Sequence, residues 1–188
     1  MDYKVSYHKD DELKNYADNL FSILNEERAL LKRYKFSLFS NIKEIIVNNN
    51  QNNNFEIVLN KYKDIENKYV NVLKELLEKN NTWQFKIYKL ENRYIFQNMR
   101  DYRKLFNKEY VKYIKKLKLK NGKEYMLNDI LEIVRLCLRG VMWCEIIWEN
   151  ISIHTGYGYC MHIKGIEIDK EFIENKLRDG IIINGASI

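Results

Sequence analysis

"VMWCEIIWENISIHTGYGYCMHIKG", residues 141–165, is the stretch on which the fold turns. Its apolar residues recur every second position: Met142, Cys144, Ile146 and Trp148 fall on one side, and Trp143, Glu145, Ile147 and Glu149 on the other. A period of two is strand behaviour. Glu149 and Asn150 can turn the chain, "ISIHT" returns, and beyond Gly156 a third strand follows. It puts Tyr157, Tyr159, Met161 and Ile163 on one face and Gly158, Cys160 and His162 on the other.

Upstream the period is that of helices. Leu13, Tyr16, Leu20, Ile23, Leu24, Leu30, Leu31 and Tyr34 predict a long helix from Asp11 to about Phe39, with a shorter one capped by Ser40 after it. The Asn-rich tract 48–54 reads as a solvated connection. Phe55, Val58, Leu59, Tyr62, Ile65, Tyr69, Val72, Leu73, Leu76 and Leu77 then mark a second long helix, ending near Asn80 and Asn81. Thr82 caps a third segment through Phe85, Ile87, Leu90, Tyr94, Ile95, Phe96 and Met99, either a helix buried on a broad face or one broken near Gln97 to Arg100. A fourth, from Tyr102 to Leu117, stops at Asn121 and Gly122, a pair that supplies positive φ at little cost. "DILEIVRLCLRG" is apolar nearly all round and therefore central. Downstream, "DKEFIENKLRDG" closes as a helix and "IIIN" adds an edge strand.

The expected fold is α+β: a predominantly helical bundle, about 10–140, carrying a small C-terminal antiparallel sheet with a closing helix, about 141–188, as a single domain. The 188 residues, 46% of them hydrophobic, suffice for one real core. No apolar run approaches the ~18 residues of a membrane span. The polar, acidic start "MDYKVSYHKDDELK" lacks the form of a signal peptide, which points to a cytoplasmic protein without membrane contact. Cys137, Cys144 and Cys160 form no C-x-x-C pair, so buried thiols are expected instead of a disulfide scaffold or zinc knuckle.

Charge is uneven. Residues 1–82 carry 13 Lys and Arg against 13 Asp and Glu, residues 83–123 carry 13 against 3, and residues 124–188 carry 6 against 10. If the basic middle is helical, Lys86, Lys89, Arg93, Arg100, Lys104, Lys108, Lys112 and Lys115 line one ridge beside Tyr88, Tyr94, Tyr102 and Tyr110. Such a ridge suits phosphates and stacked bases, or an acidic protein, or simply the solvated side of two amphipathic helices.

His154 and His162 could act as metal ligands or as an acid and base. Eight residues apart across a turn, they do not automatically face each other. No H-E-x-x-H, P-loop, G-x-G-x-x-G or G-x-S-x-G accompanies them. The expectation is therefore no cofactor, no metal and no catalytic residue.

W-C-E-I-I-W followed by I-H-T-G-Y-G-Y-C-M-H-I resembles the tail of an uncharacterised family of small bacterial proteins. In that family a helical front precedes a W-C-K-L-like strand and an I-H-F-G-Y-D-Y-Y-M-Y-like strand. Trp143, Cys144, His154, Gly156, Tyr157, Tyr159, Met161 and Ile163 fit the pattern, whereas Gly158, Cys160 and His162 stand where Asp, Tyr and Tyr are usual. The resemblance covers about 141–165 and implies an accessory or immunity-type role.

The leading expectation is a non-enzymatic protein-binding protein, an immunity protein or inhibitor in a bacterial toxin or conflict system, whose partner is an acidic toxin or effector. Contact residues would be Trp148, Tyr157, Tyr159 and His162 on the sheet, with Arg100, Arg103 and Lys104 on the ridge. The alternative is an RNA- or DNA-binding protein using Lys86, Lys89, Arg93, Arg100, Lys104 and Lys108. A third is a small hydrolase built on His154 and His162.

Overall fold

The computed structural model describes residues 2–7, 51–92, 95–96, 99, 106–156 and 160–186. In chain order its elements are β1 (Asp2–Tyr7), α1 (Gln51–Lys79), β2 (Gln84–Glu91), α2 (Lys108–Leu117), β3 (Glu124–Met126), α3 (Leu127–Leu138), β4 (Trp143–Trp148), β5 (Ile151–Gly156), β6 (Cys160–Lys164), α4 (Lys170–Arg178) and β7 (Ile181–Ala186).

The strands form a single seven-stranded antiparallel sheet in the order β3-β2-β4-β5-β6-β1-β7. This overturns the expected helical bundle with a small C-terminal sheet: the fold is α+β, but the sheet recruits β1, β2 and β3 from outside the tail. The first part of the expected helix after Thr82 is strand β2, whereas Ile95, Phe96 and Met99, further along the same segment, are helical. Phe85 and Ile87 are buried within the strand, and Lys86 and Tyr88 alternate with them. Thr82 is itself buried, its hydroxyl donating to the Asn80 carbonyl at 3.2 Å. The tail strands β4, β5, β6 and β7 lie where alternation placed them, with β7 at an edge. The predicted helix 11–39 and the one capped by Ser40 lie outside the described residues.

Register explains the burial. Ile87 pairs with Ile146, Ile146 with Ile153, Ile153 with Ile163, and Ile163 with Tyr3, so one apolar row crosses five strands. Beside it, Thr155 pairs with Met161, Met161 with Val5, and Val5 with Ile183. All of these are buried. A one-residue slip of any strand would turn its whole apolar set to the opposite face.

Helices cover that face. α1 offers Leu59, Tyr62, Ile65, Tyr69, Leu73, Leu76 and Leu77 at three-and-four spacing, and α3 is buried at Leu127, Ile130, Leu131, Ile133, Val134, Leu136, Cys137 and Leu138. α1 ends as expected: Asn81 takes φ 52°, and the Thr82 amide donates back to the Leu77 carbonyl at 2.9 Å. Its start differs, because Gln51–Asn54 belong to the helix and not to a connection. α2 is capped by Asn107, whose side chain accepts from the Tyr110 amide. It ends at Lys118, φ 49°, before the expected stop at Asn121 and Gly122. That dipeptide serves another purpose. The Gly122 amide donates to the Ile87 carbonyl at 2.8 Å and the Asn121 side chain accepts from the Leu90 amide at 2.9 Å, tying the turn to β2.

Tyr110 and Val111 of α2, and Phe172 and Ile173 of α4, pack against the same core. All four described helices thus meet the sheet from one side. Among the described residues, no helix is long and apolar enough to cross a membrane.

Candidate functional site

The opposite side of the sheet carries the other half of each alternating strand. Lys86 pairs with Ile147, Ile147 with Ser152, and Ser152 with Lys164. In the next row Tyr88 pairs with Glu145, His154 with His162, His162 with Lys4, and Lys4 with Asn184. Trp143 stands opposite Glu91, and its indole N–H donates to the Thr155 carbonyl at 3.1 Å, which lays the ring across β5. Trp143, Ile147 and Ile182 are half-buried yet separate from the helix-covered core, and Tyr88 is 39% exposed.

The two histidines do face each other, contrary to the expectation from their spacing. Their imidazoles stack with centroids 4.8 Å apart and planes 7° from parallel. Register is the cause, since directly opposed residues of an antiparallel pair bring their Cβ atoms to about 5 Å.

Other expected contact residues are dispersed. Trp148 lies on the inner side and packs against the core. Tyr157, Tyr159, Arg93, Arg100, Arg103 and Lys104 lie outside the described residues. The basic ridge is not a continuous helical face, because Lys86 and Lys89 are on a strand and Lys108 begins α2. Lys86 is 3.2 Å from Glu124, and Lys89, at φ 50° beside a register shift in β2, is 3.0 Å from Glu145.

Sequence reasoning missed the ion cluster joining α1 to α3. Glu66, 4% exposed, accepts from Arg139 Nε at 2.7 Å and Nη2 at 2.8 Å, and from Arg135 Nη1 at 3.0 Å. Arg135 also donates to Glu132 and Asn67. The Arg139 guanidinium lies 5.1 Å from the Phe106 ring centre and 5.5 Å from that of Tyr110. Burial works against the Arg139 charge, but hydrogen bonding and attraction from Glu66 outweigh it and its pKa is raised. Burial likewise raises the Tyr110 phenol despite the opposing pull of Arg139. With every charge matched, this cluster clamps helices together. The sequence signal was Arg135 and Arg139, one turn apart in a largely apolar segment whose one nearby acid, Glu132, can answer only one of them, so a buried acid from elsewhere is required.

Near β3 a cavity of about 300 Å³ is lined by Lys116, Leu117, Lys123, Glu124, Tyr125 and Asp129, among others. Three of its charged groups are engaged within the fold. Lys123 bonds the Leu117 carbonyl, Glu124 pairs with Lys86, and Asp129 accepts from the Tyr113 hydroxyl. Among the described residues, no group of three or more His, Cys, Asp and Glu is arranged to hold a metal ion.

Comparison with family models, curated proteins and solved structures found no match. Any functional reading therefore rests on the surface just described.

Proposed function

We propose that this protein works by binding another protein on the outer face of its sheet. The observation that carries the reading is the one-sided layering: the described helices all pack on one face, while Tyr88, Trp143, Ile147 and His162 stand on the other. Half-exposed aromatic and aliphatic side chains of this kind anchor protein interfaces. Lys4 and Lys164 are exposed on the same face, and they favour an acidic partner. An immunity or inhibitor role is the narrower form of this proposal, supported by the sequence pattern at 141–165. A nucleic-acid partner gains less support, because Lys86 and Lys89 are each paired with a carboxylate.

The test begins with extracts of the native host passed over the immobilised chain at low and moderate salt. A stoichiometric protein partner is expected. Once purified, that partner should bind Tyr88→Ala or Ile147→Asp chains at least ~30-fold more weakly, a loss of about 2 kcal/mol. No stoichiometric partner, or equal affinity for both variants, would remove this face from consideration.

A further inference from the structure

We propose that His154 and His162 form a two-point site for a first-row divalent transition-metal ion, with Cu²⁺ held most tightly. Neutral imidazole suits such ions, and affinity along the row peaks at copper. The register sets the chelating geometry in advance: the two residues are directly paired, on one face, in β5 and β6. Neither strand is an edge, since β4 flanks one and β1 the other. The backbone spacing is thus held from both sides, and little order has to be created on binding.

The distances allow it. Two metal–nitrogen bonds of about 2.0–2.1 Å, meeting near a right or tetrahedral angle, hold their nitrogens about 3 Å apart. The rings already lie parallel at 4.8 Å. Inclining their outer edges toward each other by side-chain rotation closes that gap without moving the strands, because the second torsion of histidine is soft. Both residues are half-buried, which leaves the outward side of an ion to water or to a further ligand. Two charges flank the pair. Lys4 is paired with His162 and opposes a cation, whereas Glu145, the neighbour of Ile146 on β4, favours one and is shared with Lys89.

This inference goes beyond partner binding and is tested on the purified chain alone, so the two stand or fall separately. Calorimetric titration with Cu²⁺ should show one ion per chain, and Mg²⁺ should show none. His154→Ala and His162→Ala should each weaken Cu²⁺ binding more than about tenfold, since the second ligand no longer acts intramolecularly. His8→Ala should leave it unchanged. Electron paramagnetic resonance of the unaltered, copper-loaded chain should report two imidazole nitrogens, a readout that does not depend on a variant folding. Undiminished affinity in either His154→Ala or His162→Ala, or a copper spectrum without two nitrogen ligands, would overturn the assignment.

Discussion

Glu66 on α1 receives Arg139, at the C-cap of α3, side-on, Nε to Oε1 at 2.7 Å and Nη2 to Oε2 at 2.8 Å, with both side chains almost wholly buried. Removing one partner of such a pair leaves a charge in a medium that cannot solvate it, which costs more than the pair contributes. Glu66→Ala should therefore destabilise the fold by about 3–5 kcal/mol. Glu66→Leu combined with Arg139→Met should recover most of that loss. Urea unfolding midpoints decide the matter, and a single variant within ~1 kcal/mol of the parent would contradict the burial argument.

Asp169 gives the acid side of stability a specific origin. Its carboxylate caps α4, accepting from the Phe172 amide at 2.7 Å, and pairs with Lys79 at the end of α1. Lys79 first, and the Phe172 amide second, hold its pKa below the ordinary carboxylate value. A group depressed on folding stabilises above its unfolded pKa, and the benefit is lost as pH falls through the folded value. Asp169→Asn should lower the unfolding midpoint near about pH 6 and match the parent near about pH 2. Parallel curves for the two proteins across that range would refute the linkage.

Cys137 and Cys144 are both buried, with sulfurs 3.8 Å apart. The hydrogen bond shared with Cys137, and then burial, push the Cys144 thiol well above its ordinary pKa. A thiol kept neutral and covered is a poor nucleophile. Iodoacetamide at neutral pH should leave both peptides unmodified until urea unfolds the chain, as mass mapping would show. Rapid labelling of Cys144 in the native protein would mean that this part of the core opens.

Two glycines separate backbone strain from steric clash. Gly165 and Gly122 both hold positive φ, at 79° and 73°. A methyl group at Gly165 would run into the Asn150 carbonyl, whereas at Gly122 it meets nothing within 4 Å. Gly122→Ala should cost about 1 kcal/mol from the left-handed backbone alone. Gly165→Ala should cost roughly 2 kcal/mol or more beyond that, because the β4–β5 turn must move. Equal losses in thermal unfolding would show that the turn yields freely.

Much of the fold could be read locally, and what escaped was non-local. The stripe from Leu59 to Leu77 and the alternation from Trp143 to Ile163 each extend far enough to declare their period. β2 showed the same alternation in Phe85, Lys86, Ile87 and Tyr88, but the register shift before Glu91 breaks it, and the helical residues Ile95, Phe96 and Met99 beyond it made the whole segment read as one helix. Tyr3 and Val5 alternate with Lys4 and Ser6 over a segment too short to outweigh the helical pattern after it. The partners that make these segments strands are far away in sequence. The histidine pair was hidden for a related reason: Gly156 said where a turn could form, but not which residues it would set opposite each other.

The place of β1 has a consequence for how the molecule is assembled. Asp2 lies between Lys164 on β6 and Ala186 on β7, so this strand must wait for the distant β6 and β7 to be synthesised before it meets either neighbour. Pairings this distant slow folding and leave unsatisfied strand edges exposed in the meantime. Deleting residues 2–7 would take out an interior plank, not a frayed tip, and would cast β7 adrift. Closing β1 into the sheet is therefore a late event in the life of the nascent chain.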